Sequence, residues 1–270
     1  MGYVTLRGGS NLQLRANGGL LLTRAQLSDV PTQNLLLDLD PAHRVFSDNG
    51  LTLCSNNQAV YRWNDMSINN SNFIQTFLSK RPLFKTGGLD SKPYVHFTGT
   101  DWLGSELTSL FMQDDLTFFI VMVANSSSDP YDTILCRAQD LNWTDGWNIY
   151  SNASQDHVTM IRDFHYYAIT NAQGVTDVQQ IRSFRFKRSA GTQYNKNRVN
   201  NGTDSIGTTT NVNNTVVHKT MLGGSWDSPG TDATFMSDFY LYRLLIYNTY
   251  FDDATYLSVL NSLNNVYTTY

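Results

Sequence analysis

The chain has 270 residues, with 41% hydrophobic and 13% aromatic positions, and its 19 Lys and Arg against 23 Asp and Glu leave a net charge of -4. That balance excludes nucleic-acid binding driven by a basic field and a polybasic membrane anchor. Charged residues make up only 16%, against about 25% in ordinary globular domains, so Asn, Thr, Ser and Gln must supply the polar surface.

The N-terminus, Met1-Gly2-Tyr3-Val4-Thr5-Leu6-Arg7, has neither the charged leader nor the apolar core of a secretion signal. Leu6 stands where a myristoylation motif needs Ser or Thr. The longest apolar run, Phe118 to Ala124, is far short of the ~18 residues of a membrane helix. Two cysteines, Cys54 and Cys136, make no disulfide framework and are expected as unbridged thiols. Residues 1–31 read as an arm. Short alternating segments around Tyr3 to Leu6, at Leu12 and Leu14, and at Leu20, Leu21 and Leu22 are separated by Gly-rich turns. A hairpin of that size buries little by itself and needs a surface to lie on. Arg7, Arg15 and Arg24 make it locally basic. Tyr3, Leu6, Leu12, Leu14, Leu20 and Leu22 are therefore the candidate docking residues.

From residue 32 onward strand signals repeat. Leu35 to Leu39 is short and apolar; Tyr61 to Asn64 and Tyr94 to Phe97 alternate. Leu116 to Ala124 is apolar on both faces and belongs in the middle of a packed sheet. Further strands are expected at 133–136, 147–150, 158–161, 181–186, 215–217 and 239–247. One helix is expected near the end: Asp252 and Asp253 favour its start, and Tyr256, Leu260, Leu263 and Tyr267 fall at helical spacing. Many short strands with one amphipathic helix describe a two-sheet antiparallel β-sandwich of 32–270, with the helix laid along a sheet edge.

The order of motifs resembles the concanavalin A-like lectin/glucanase superfamily, in particular its laminin-G-like jelly rolls. The residues that carry this are Leu35-Leu36-Leu37-Asp38, Trp63-Asn64-Asp65-Met66-Ser67, Arg81-Pro82, Ser91 to Gly99 (with Ser91 where the family has Gly), Arg198 to Gly202, Leu222-Gly223-Gly224 and Leu245-Ile246-Tyr247-Asn248. Trp63 and Phe97 are expected in the core. Asn201-Gly202 is expected to supply the positive φ of a tight hairpin.

The superfamily's hydrolases place paired carboxylates on one strand. No Glu-x-Asp-x-x-Glu spacing occurs here; Glu106 stands alone, and Asp38 and Asp40 share a strand face at a position where turns are bonded. The five histidines show no metal pairing, and no nucleophile elbow or phosphate loop is present. No catalytic residue is expected. The resemblance implies calcium as the one cofactor to consider, with Asp227 and Asp232 as oxygen ligands in a loop. Glycan binding needs an aromatic platform beside amides or carboxylates. Asn142, Trp143 and Asp145 offer that composition, and Trp226 is a second candidate.

A low-charge, Asn- and Thr-rich jelly roll with a β-arm resembles the virion surface proteins of tailed bacteriophages, assembled in the host cytoplasm. The expected role is a non-enzymatic head decoration, fibre or tail adhesin. Its partners would be capsid or tail subunits, further copies of itself and a cell-surface glycan, with no nucleic acid and no membrane insertion. The alternative is a free bacterial carbohydrate-binding lectin or module.

Overall fold

The computed structural model describes residues 4–5, 11–14, 20–23, 30–88, 91–107, 115–125, 132–138, 146–152, 155–162, 165–167, 177–189, 192–210, 219–226, 232–234 and 236–270. The arm forms β1 (Val4–Thr5), β2 (Asn11–Leu14) and β3 (Leu20–Thr23). They pair antiparallel in a sheet of their own. Next come β4 (Leu35–Leu39), β5 (Val45–Phe46), β6 (Gln58–Ala59), β7 (Arg62–Trp63), β8 (Phe73–Ile74), β9 (Leu83–Lys85), β10 (Tyr94–Thr98), β11 (Leu103–Ser105) and β12 (Asp115–Ala124). They are followed by β13 (Asp132–Ala138), β14 (Gly146–Asn152), β15 (Gln155–Arg162), β16 (His165–Tyr167), β17 (Gln179–Ser189), β18 (Thr192–Val199) and β19 (Ser205–Thr210). The chain closes with β20 (Met221–Leu222), β21 (Ser225–Trp226), β22 (Ala233–Thr234), β23 (Asp238–Tyr247) and the helix α1 (Asp253–Tyr267). The strand expected at 215–217 lies outside the described residues.

Two nine-stranded sheets make the sandwich. One runs β19-β18-β17-β12-β23-β10-β9-β6, with β4 also pairing β23. The other runs β16-β15-β14-β13-β20-β11-β8-β7-β5. The expected all-β, two-sheet antiparallel fold with one C-terminal helix is what forms.

β12 shows why. Its residues alternate across the sheet, and both sides are apolar. Leu116, Phe118, Ile120 and Met122 enter the core between the sheets with Trp63, Phe97 and Trp147. Phe119, Val121 and Val123 point outward and join the helix residues Tyr256, Val259, Leu260 and Leu263. Its neighbour β23 carries a bulge: Val121 faces Arg243 but Met122 faces Leu241. The extra residue moves the inward set from Phe239 and Leu241 to Leu244 and Ile246, so an unbroken apolar run still fills one core.

The helix departs from the sequence expectation. It lies on the outer face of the central strands, against Phe119, Val121, Ile181 and Leu245, and not along an edge. The outer side of β12 and β23 is as apolar as the inner side and has to be covered. Asp252 caps α1 by accepting from the Thr255 N–H at 2.7 Å. Thr268, at φ 45°, ends it in the left-handed region.

The family-like motifs turn out to be scaffolding. Asp65 is fully buried and accepts from the backbone N–H of Asp38, Ser67 and Ser71 and from the Ser67 hydroxyl, at 2.6–2.9 Å. It therefore ties the 63–72 loop to β4. Gly223 has φ +90°, and a Cβ there would meet Phe97 at 2.4 Å. Ser91 adopts φ 58°. In the β18–β19 turn the positive φ belongs to Asn200, at 51°, and not to Asn201-Gly202. Asn tolerates that region better than most residues because its short side chain bonds locally. Here its side-chain oxygen accepts from the Ile181 N–H at 2.8 Å. Cys54 and Cys136 are unbridged.

Candidate binding surface on the outer face

Several expected site residues lie outside the described residues: Asn142, Trp143 and Asp145 of the aromatic loop, Asp227 of the calcium pair, and Tyr3 and Leu6 of the arm. Leu12, Leu14, Leu20 and Leu22 fall in β2 and β3, whose backbone alone is described. Two candidates can be placed, and the burial of one of them is a correction. Trp226 is not a sugar platform open to solvent. It is 6% exposed, packs edge-on against Trp102 at 5.4 Å and donates its indole N–H to the Lys219 carbonyl at 2.6 Å. With Met221 and Ala233 it forms a small core under the β21–β22 hairpin. Apolar area explains this, since a Trp beside a second Trp is stabilised most by leaving water. Asp232 is exposed; its Oδ1 accepts from Trp102 Nε1 at 3.2 Å and from the Ala233 N–H at 2.8 Å, its Oδ2 lies 3.7 Å from Lys80 Nζ, and Asp227, its partner in the expected calcium pair, lies outside the described residues. Among the described residues no group of three His, Cys, Asp or Glu side chains is placed to hold a metal ion.

The carboxylates that sequence reading set aside for catalysis are also committed. Asp38 and Asp40 both bind Arg243, which is 2% exposed; the Asp38 contact is 2.7 Å. The two carboxylates hold the Arg243 guanidinium above its ordinary range despite burial, which acts the other way. Removing Arg243 would leave two carboxylates, both at most partly exposed, without their shared cation. Glu106 receives Arg62 in a two-point contact at 3.1 and 2.7 Å, and Asn72 Nδ2 at 2.9 Å. These groups bind one another and present no open acid pair.

A different set of residues gathers on the outer face, beside the helix. Alternation along β10 sends Val95 and Phe97 into the core and leaves Tyr94 and His96 outward. β23 pairs with β10 so that His96 faces Tyr240 and Thr98 faces Asp238. The His96 ring meets Tyr240 edge-on at 4.7 Å, and Tyr94 lies 5.0 Å from Tyr240. His96 Nε2 is 3.2 Å from Asp238 Oδ1. Asn125, just past β12, donates its side-chain amide to the same oxygen. Among the described residues no donor meets the second Asp238 oxygen, and that side chain is 39% exposed. Burial first, then the neighbouring Tyr240, raises the Tyr94 phenol above its usual range, so it stays a neutral donor. The arrangement offers two half-buried aromatic faces edged by an amide, an imidazole and a carboxylate, the groups that meet the ring face and hydroxyls of a sugar.

Sequence reading recognised the alternation of Tyr94-Val95-His96-Phe97 and used it for the core. Its outward half was the signal for this surface. The pairing with Asp238, 142 residues from His96, and with Tyr240 was not visible.

No family model matches the chain, and no curated protein matches it in sequence. Solved structures do. The sialidase of Trypanosoma rangeli is similar over 88% of this chain at 9% identity, with a TM-score of 0.56. The chain spans about a third of that enzyme's length, 34%. Domain 4 of AbnA, a GH43 extracellular arabinanase from Geobacillus stearothermophilus solved with arabinotriose, matches over 84% of this chain and 98% of its own length, at 14% identity and a TM-score of 0.55. The receptor binding domain of the botulinum neurotoxin C/D mosaic serotype matches over 88% and 52%, at 10% identity and 0.52. What this chain shares with all three is the jelly-roll-like β-sandwich.

Proposed function

We propose that this is a non-enzymatic glycan-binding protein of a bacteriophage virion surface, a head decoration, fibre or tail adhesin. On this reading residues 1–31 dock it to capsid or tail subunits, and the outer face of its sandwich holds a cell-surface glycan. The observation that carries the glycan reading is the Tyr94, His96, Tyr240, Asp238 and Asn125 cluster. The commitment of Asp38, Asp40 and Glu106 to arginine partners supports a binding role over hydrolysis. The arm supports docking, because β1–β3 pair only with one another among the described strands. The low-charge, Asn- and Thr-rich composition supports the virion assignment. One observation favours the second reading, a free bacterial carbohydrate-binding module: a domain of the same fold and nearly the same extent, from an extracellular arabinanase, was solved with arabinotriose.

The glycan reading is tested by titrating the whole chain with arabinotriose and a panel of neutral hexose oligosaccharides. One or more should bind, and Tyr240→Ala should weaken that binding about tenfold, the ~1.4 kcal/mol of a lost aromatic stack. A panel that does not bind, or a variant that binds as tightly as the parent, sinks it.

A further inference from the structure

On the far side of α1, by its N-terminus, the same outer face changes sign. Arg185 sits on β17, and β18 brings Lys196 opposite it. Arg185 is 1% exposed and spans Asp204 at 2.8 Å and Asp253 at 2.5 Å, with its guanidinium 4.0 Å over the Tyr256 ring. Arg198 takes the other Asp204 oxygen at 2.7 Å, and Lys196 is 3.5 Å from Asp253 and 3.8 Å from Asp204. Both carboxylates are thus consumed by three cations. The neighbouring Asp252 is turned to the helix N-cap.

Lys187 is the fourth cation, and it is exposed. Asp115 faces it across the β12–β17 pair, but among the described residues no carboxylate lies within ion-pair distance of it. Its ammonium rests between two tyrosine rings, 5.2 Å from the centroid of Tyr250 and 5.6 Å from that of Tyr194. Tyr194 is 40% exposed. In a chain of net charge -4, this is an exposed cation beside one exposed and one half-buried tyrosine.

We propose that Lys187, Tyr194 and Tyr250 form a subsite for a carboxylated sugar. The tyrosines meet the C–H face of the ring, and Lys187 meets the carboxylate in a charge-assisted hydrogen bond. The buried Arg185 ties β17 to Asp204, in the turn after β18, and to Asp253 at the start of α1. This inference rests on the reading of the outer face as glycan-binding. It adds a second ligand class at a separate place, because the Tyr94–Tyr240 surface, with its own carboxylate, would favour a neutral sugar.

The test uses the whole chain and two carboxylated probes, trigalacturonate and sialyllactose, against galactotriose and lactose as neutral counterparts. Binding is read by calorimetry at low and at 0.5 M salt. At least one acidic probe should bind about tenfold or more tighter than its neutral counterpart and weaken with salt. Lys187→Met and Tyr194→Ala should each lower that affinity tenfold or more, Lys187→Arg should retain most of it, and Tyr240→Ala should leave it unchanged. Both substituted side chains are exposed, so the fold stands in each variant. Equal binding of acidic and neutral sugars, full affinity in Lys187→Met, or displacement by equimolar inorganic phosphate overturns the subsite. If neutral sugars bind and both acidic probes fail, the subsite alone falls. If nothing binds, the glycan reading falls with it.

Discussion

The inner and outer faces of the β12 sheet are both buried, but by different means. Inward, Leu116, Phe118, Ile120 and Met122 meet a second sheet across their whole length, and the contact is almost wholly apolar. Outward, Phe119, Val121 and Leu245 meet a single helix. A helix is ~10 Å wide, whereas adjacent strands lie ~4.8 Å apart, so α1 covers only the central strands. The flanks are finished by side chains that are apolar on one side and polar on the other. On one flank Tyr94, Tyr240 and His96 do this; on the other Arg185, Tyr256 and Tyr194 do. A face covered by a sheet is closed along its length, while a face covered by a helix leaves two partly exposed flanks.

The largest effect should come from the inner face. Phe118 is fully buried against Trp147 and Phe186, and Phe118→Ala should cost ~3–5 kcal/mol, read by urea denaturation. A loss below 1 kcal/mol would mean that the inter-sheet core is looser than drawn.

The outer face should respond more weakly and with a pH signature. Tyr256 donates to or accepts from Ser183, and burial, the largest influence, pushes its phenol up to about 12. Its unfolded value is about 10. A raised folded value stabilises the fold fully below pH ~10, and that contribution is lost as pH rises toward 12. Tyr256→Phe should cost ~1 kcal/mol at neutral pH for the lost hydrogen bond. It should also flatten the fall of Tm between pH ~10 and ~12. An unchanged slope would separate Tyr256 from the buried network.

The smallest effect on stability should come from the arm. Its three strands join neither nine-stranded sheet. Deleting residues 2–30 should move Tm by no more than about 2–4 °C, the shift of ~1 kcal/mol in a domain of this size, while abolishing incorporation into particles. A truncated chain that precipitates or unfolds would make the arm part of the core.

Much of the fold was legible in the sequence, because it depends on local pattern. The run Leu116 to Ala124, apolar on both faces, identifies a central strand wherever its partners lie, and Tyr256, Leu260, Leu263 and Tyr267 identify a helix by spacing alone. All four are buried. The Trp63-to-Ser67 segment and Leu222-Gly223-Gly224 stood out in the sequence, and both have structural roles: Asp65 is buried among backbone donors, and Gly223 has no room for Cβ. What the pattern does not carry is which exposed residues become neighbours. Trp226 has the composition of a sugar platform, yet Trp102, 124 positions earlier, buries it. His96 and Tyr240 are each unremarkable until antiparallel pairing sets them face to face. Lys187 is one charge among 42 until Tyr194 and Tyr250 flank it. Periodicity states which side of an element faces water. Register and the placement of the helix, set by long-range burial, decide which of those water-facing side chains stand together.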